Sequence, residues 1–217
     1  MDENMKKGTT TLGLVCKDGV VMATERRATM GHMIAHKKTQ KLFQIGNNMC
    51  LTIAGLVGDG QILARYLSSE VELYQLKREK SMTIEASATM LSNILISRRW
   101  MPYWVGLLLG GVDSKGGHVY SLDAAGGSIE DKFATTGSGS PFVYGVLEDH
   151  YKEDMTVSQG VELAVLCLMV SSSRDSASGD GINVAIITEK DGFKEVSDEE
   201  IEKKMSKINK EKGIKKL

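Results

Sequence analysis

The apolar pattern changes period several times along the chain. "TTTLGLVC" (residues 9–16) and "VVMATE" (20–25) are rich in β-branched residues and flank "KDG", whose Asp18-Gly19 suits a tight turn. Together they predict a hairpin. "KLFQI" (41–45) and "MCLTIAG" (49–55) around "GNN" predict a second. Leu63, Tyr66, Leu67, Val71 and Tyr74 then fall at helical spacing, which predicts an amphipathic helix over about 57–78. Ile84, Ala88, Leu91 and Leu95 mark another helix. Strands return with "WVGLLLGGVD" (104–113) and "HVYSLD" (118–123) around the turn "SKGG", and "SIEDKFATTG" (128–137) reads as one further strand.

The last third repeats the alternation. Ser140 as an N-cap with Pro141 at the first helical position opens a third helix. Thr156 with Gln159 forms a capping box ahead of the stripe Val157, Val161, Val165 and Leu168. "INVAIIT" and "GFKEV" around "KDG" give a final hairpin, and Ser197 with Glu200 caps a lysine-rich terminal helix carrying Ile201, Met205 and Ile208. Tight turns between strands imply antiparallel sheets. Helices arriving in pairs imply a layer on each outer face. The expected fold class is therefore α+β, two packed sheets between helix layers.

Composition narrows the class without naming a function. The 217 residues are 41% hydrophobic and 25% charged, with two prolines and no low-complexity stretch, so one soluble globular domain is expected. A formal net charge of −1 supplies no general electrostatic reason to bind nucleic acid or an anionic membrane. Cys16, Cys50 and Cys167 are odd in number and lack a CxxC pair, so they read as small core residues in a reducing compartment. "MDENMKKG" has no apolar stretch of the signal-peptide kind, and "AVLCLMV" (164–170) is too short to span a bilayer; the expected location is the cytoplasm.

The candidate chemistry lies in "GTTT" (8–11). A threonine hydroxyl is a weak nucleophile that needs a base, and a free α-amine with pKa about 8 is a suitable one. Thr9 could carry both groups only if the Gly8–Thr9 bond were cut; Thr10 and Thr11 keep amide nitrogens. Glycine before Thr9 would let the hydroxyl approach the Gly8 carbonyl. The other reading is a β-branched strand start. His32 and His36 have the spacing of a helical metal pair but no helix or third ligand around them. "GSGS" is not a dinucleotide fingerprint, because Phe142 stands where a third glycine belongs. The basic "KKMSKINKEKGIKKL" follows acidic "SDEEIE" and reads as a solvated helix and tail.

Six blocks in order, "GTTTLGLVCKDGVVMATERRATMG", "KKTQKLFQI", "LTIAGLVGD", "MPYWVGLLLGGVD", "SLDAAGGSIEDKFATTGSGSPFVYGVLE" and "RDSASGDGINVAIIT", resemble a proteasome β subunit, most of all the archaeal type. The likeness runs from Gly8 to about residue 196. It implies the four-layer αββα sandwich of the N-terminal-nucleophile hydrolases. It implies removal of residues 1–8 by self-cleavage after Gly8, leaving 9–217 as one domain with a charged tail from about 198. Thr9 is then nucleophile and, through its freed amine, base. Lys41 lies beside the hydroxyl, and Glu25 holds Lys41. Ser138, Asp175 and Ser178 surround the new amine. Gly55 offers its N–H to the oxyanion. Thr29 pairs with the substrate backbone. Ala28, Ile53 and Val57, with Thr39 at the rim, match the specificity pocket, and their small or apolar side chains imply cleavage after large hydrophobic residues.

The resemblance further implies a threonine endopeptidase that needs no metal or other cofactor. Its partners would be α subunits and other β subunits in stacked seven-membered rings, an ATP-dependent unfoldase, and unfolded polypeptide substrates. The alternatives are a structural ring subunit that has lost catalysis and the bacterial two-ring protease of the same superfamily. The intact residue set argues against the first; "GSGSPFVYG" and "RDSASGDG" argue against the second. Two departures from the family pattern, Gly106 and the serine-rich "MVSSSRD", bear on local packing only.

Overall fold

In the computed structural model, which describes residues 8–211, the apolar runs form two five-stranded antiparallel sheets. The first has the order β10-β1-β2-β11-β12, from β1 (Thr11–Cys16), β2 (Gly19–Glu25), β10 (Phe133–Thr136), β11 (Ile182–Thr188) and β12 (Gly192–Glu195). The second has the order β5-β6-β7-β8-β9, from β5 (Leu42–Ile45), β6 (Met49–Gly55), β7 (Val105–Asp113), β8 (Gly116–Leu122) and β9 (Ser128–Asp131). Helices α1 (Val57–Arg78) and α2 (Ile84–Ser97) cover the second sheet; α3 (Ser140–His150), α4 (Val157–Arg174) and α5 (Asp198–Glu211) lie on the side of the first. The layers are αββα, as expected. Residues 1–7 of the expected leader and residues 212–217 of the expected tail lie outside the described residues.

Both faces of the central strands are buried, which explains their nearly unbroken apolar runs. Successive side chains along a strand point to opposite faces. On β2, Val20 and Met22 enter the core between the sheets, while Val21 and Ala23 face the α4 side. On β7, Leu108 enters the inter-sheet core, while Leu107 and Leu109 pack toward α1 and α2. Cys16, Cys50 and Cys167 are all buried; burial and the nearby Asp18 push the Cys16 thiol up to about 12.

Two expectations are corrected and one hairpin is added. "SIEDKFATTG" is two strands: β9 pairs with β8 in one sheet and β10 with β1 in the other, the chain changing sheets at Lys132. "ATMGHMIAH" forms a separate hairpin of β3 (Ala28–Met30) and β4 (Met33–His36), with His32 in its turn and both histidines exposed. The third helix is capped by Gly139 and begins at Ser140, so Pro141 takes its second position. The capping box of Thr156 and Gln159 forms, and Ser197 Oγ accepts the Glu200 N–H at 3.3 Å.

Candidate active site

Thr9 lies two residues ahead of β1 and is 4% exposed. The chain runs unbroken through Gly8, so the Thr9 nitrogen is an amide here; its N–H donates to Ser138 Oγ at 3.2 Å. The Thr9 hydroxyl donates to the Gly8 carbonyl oxygen at 2.7 Å and accepts from Lys41 Nζ at 3.0 Å. Gly8 is pressed against the loop after α4. A Cβ on it would stand 1.8 Å from Ala177 Cβ and 2.8 Å from Ser138 Oγ. Glycine at this position is thus a packing requirement, and it holds the hydroxyl against the peptide bond before it.

Lys41, 2% exposed, sits immediately before β5 and has three acceptors for its three N–H bonds: Thr9 Oγ1, Glu25 Oε1 and the Arg27 carbonyl. Glu25, at the end of β2 and fully buried, accepts from Lys41, from the Thr10 N–H at 3.2 Å, from the Arg27 N–H at 2.6 Å and from the Gly179 N–H at 3.1 Å. Burial pulls the Lys41 ammonium below the ordinary lysine range; Glu25 opposes that pull. The same burial pushes Glu25 up, against the lowering effect of Lys41 and the backbone donors.

Asp175, the C-cap of α4, organises the other side of Thr9. Its Oδ2 accepts from Ser138 Oγ and from Ser178 Oγ at 2.6 Å each, and its Oδ1 accepts from the Ala177 N–H at 3.1 Å. Ser138 therefore joins the carboxylate to the Thr9 nitrogen. The Gly8 N–H donates to Thr29 Oγ1 at 3.3 Å, which ties Gly8 to β3.

Ile53 is tied to this cluster through the backbone. The Ile53 N–H donates to the Lys41 carbonyl at 3.0 Å. By strand alternation the Gly55 N–H leaves the same edge of β6, past the point where β5 begins. Gly55 has φ +111°, and a Cβ there would meet the Trp104 carbonyl oxygen at 2.2 Å. Ile53 is buried against Gly60 of α1, and half-buried Val57 opens that helix. Ala28, half-buried, opens β3, and the Thr39 N–H donates to the Arg26 carbonyl at 2.9 Å. Gly106, paired with Ala54, has only ordinary contact distance to Thr136 beyond it.

Three contributors escaped the sequence reading. Arg27 closes the shell around Lys41 and Glu25 with its backbone, while its guanidinium holds Asp180 at 2.7 Å and the Ser176 carbonyl at 2.7 Å. Thr10 spends its N–H on Glu25 and its hydroxyl on Ser171 and Ser178, each 2.6 Å away. Ser171 lies in the serine-rich "MVSSSRD" and stands four residues before Asp175, a spacing that places both on one face of α4. Among the described residues there is no group of three or more His, Cys, Asp or Glu arranged to hold a metal ion, and no helix long and apolar enough to cross a membrane.

Comparison with known proteins gives one consistent result. The family model for proteasome subunits matches residues 5–187. The chain is 54% identical to the proteasome subunit beta of Thermoplasma acidophilum over 208 residues, 96% of this chain and 98% of the relative. It is 54% identical to that of Archaeoglobus profundus (96% and 97% covered) and 50% identical to that of Methanothermobacter thermautotrophicus (96% and 99% covered).

Proposed function

Since this chain belongs to the proteasome subunit family, we propose that it is a catalytic β-type subunit, a threonine endopeptidase that first frees its own N-terminus. The observation that carries this reading is the contact of the Thr9 hydroxyl with both the Gly8 carbonyl oxygen, at 2.7 Å, and the Lys41 ammonium, at 3.0 Å.

In the first reaction the Thr9 oxygen attacks the Gly8 carbonyl carbon. Lys41 Nζ donates to that oxygen at 3.0 Å, and its positive charge favours the alkoxide as the hydroxyl proton leaves. The C–N bond breaks as the ester C–O bond forms, and the Thr9 nitrogen takes a proton to become an amine. Water hydrolyses the ester and releases residues 1–8. In the second reaction an extended peptide lies along β3 near Thr29 and along the edge of β6 near Gly55, a β-strand addition. The Thr9 hydroxyl attacks the scissile carbonyl while its own amine takes the proton; an acyl ester forms, the amine product leaves, and water completes the cycle. The Gly55 N–H faces the developing oxyanion, a donor of a kind whose loss costs about 2.7–4 kcal/mol of barrier. Ser138, Asp175 and Ser178 orient the amine.

The wider reading is assembly with α and other β subunits into stacked rings in the cytoplasm. Unfolded chains delivered by an ATP-dependent unfoldase would be cut there, preferentially after large hydrophobic residues accepted by Ala28, Ile53, Val57 and Thr39. The test is intact mass and peptide hydrolysis after co-assembly with α subunits. Wild type is expected to lose residues 1–8 and to cleave a fluorogenic panel faster after Tyr or Leu than after Arg or Asp. Thr9→Ala is expected to keep the leader and lose at least about a thousandfold in hydrolysis, with Thr9→Ser partly active. Release of residues 1–8 from Thr9→Ala without another protease would sink the reading.

A further inference from the structure

We propose that Ser171 is a positioning residue that sets the proton direction of a buried hydroxyl relay ending at Asp175; the proposal rests on the reading of Thr9 above. Asp175 receives hydrogen bonds from Ser178 Oγ and Ser138 Oγ, and a carboxylate only accepts. Each hydroxyl has one proton. Ser178 spends its proton on Asp175, so the 2.6 Å contact between Ser178 and Thr10 requires Thr10 to donate. Thr10 then has no proton left, and its 2.6 Å contact with Ser171 requires Ser171 to donate. On the other branch, Ser138 gives its proton to Asp175 at 2.6 Å rather than to the more distant Thr9 carbonyl oxygen at 3.4 Å, and accepts from the Thr9 nitrogen. The order of donation is Ser171 to Thr10 to Ser178 to Asp175, with the Thr9 N–H to Ser138 to Asp175 arriving from the opposite side.

The packing seals the relay from solvent. Ser171, Thr10 and Ser178 are fully buried. Gly139 closes over them: a Cβ there would stand 2.0 Å from Thr10 Oγ1, 2.1 Å from Ser171 Oγ and 3.2 Å from Asp175 Oδ2. Hydrogen bonds in a chain polarise one another, and more so in a dry interior. The Ser171 donor therefore draws negative charge from Asp175 along the relay. Without it, Asp175 holds more charge toward Ser138 and favours the protonated form of the freed Thr9 amine, the form that cannot act as base. The other charges around that amine are Lys41 beside the hydroxyl and Glu25 behind Lys41, with the Arg27 guanidinium paired to Asp180.

The experiment uses co-assembled particles carrying Ser171→Ala, Ser171→Cys (similar volume, weak donor) or Ser173→Ala. Ser173 is the control, because its hydroxyl bonds the Val170 carbonyl on the exposed side of α4. Ser171→Ala is expected to lose about three- to tenfold in kcat/KM at neutral pH and to move the acid limb of the profile to higher pH. Ser171→Cys should fall between it and wild type, and Ser173→Ala should overlay wild type. Should Ser171→Ala fail to assemble, the Ser171→Cys profile decides alone. A Ser171 variant that matches wild type in rate and acid limb, or a Ser173→Ala loss of the same size, overturns the proposal. In both cases Thr9→Ala, run alongside, reports separately on the nucleophile.

Discussion

Glu25 is a fully buried carboxylate facing a buried ammonium, and the pair has opposite meanings for stability and for chemistry. Removing one partner strands the other charge in the interior, which costs about 3–5 kcal/mol, whereas removing both often costs little. Glu25→Gln and Lys41→Met are each expected to lower the unfolding free energy of the subunit, read from urea titration, by an amount in that range, and the double variant to recover most of it. None of the three is expected to release residues 1–8. Additive losses in the double variant would show that the two groups are not energetically coupled. Thr9, Lys41 and Glu25 were legible in the sequence because their motifs are contiguous with the resembling blocks. Thr10 and Ser171 were not, because a hydroxyl shows its role only through its partner, and these two are 161 residues apart.

Helix α2 begins on its own cap, Thr83 Oγ1 accepting the Ala86 N–H at 3.2 Å, and on a second cap borrowed from another element. Asp113, at the end of β7, accepts the Ile84 N–H at 3.0 Å and the Lys115 N–H at 2.8 Å. Burial alone would raise its pKa, but these two donors and His118 hold it below the ordinary aspartate range. The native state therefore binds this proton more weakly than the unfolded chain. Its contribution to stability is present above the unfolded pKa of about 4 and is lost as pH falls through the lower native value. Asp113→Asn is expected to cost about 1 kcal/mol at neutral pH and to flatten the fall of the melting temperature with acid. Parallel acid slopes for the variant and wild type would refute this role. The helix itself was legible from the spacing of Ile84, Ala88, Leu91 and Leu95, but its borrowed cap was not, since a sequence window does not reach from residue 84 to 113. The β3–β4 hairpin was missed for a related reason. Met33–His36 is exposed throughout, so no buried face imprints a period on it. The split of β9 from β10 follows the same rule: β9 is wholly exposed, and only from Phe133 does the chain turn inward.

The proposed site belongs to neither sheet alone. Thr9 and Glu25 sit at the ends of β1 and β2 in the first sheet; Lys41 and Gly55 sit at the ends of β5 and β6 in the second; Asp175 ends α4. The Lys41–Glu25 pair and the Lys41–Thr9 contact thus bridge the two sheets, and their geometry depends on how the sheets seat against each other. That seating is set by the core containing Val20, Met22, Leu108 and Val119. A different core, with Leu168 and Val184, fixes α4 on the first sheet. Leu108 and Leu168 are both fully buried, so either leucine cut to alanine is expected to cost about 2.7–5 kcal/mol. Their effects on self-cleavage should differ. Leu108→Ala loosens the layer that holds a 3.0 Å contact across it, and a misplacement of about 1 Å can cost on the order of a hundredfold in rate. Leu168→Ala leaves that layer intact. Followed by intact mass at a temperature where both variants remain folded, loss of residues 1–8 should be much slower in Leu108→Ala than in Leu168→Ala. Equal rates at equal destabilisation would mean that the sheets do not transmit register to the site.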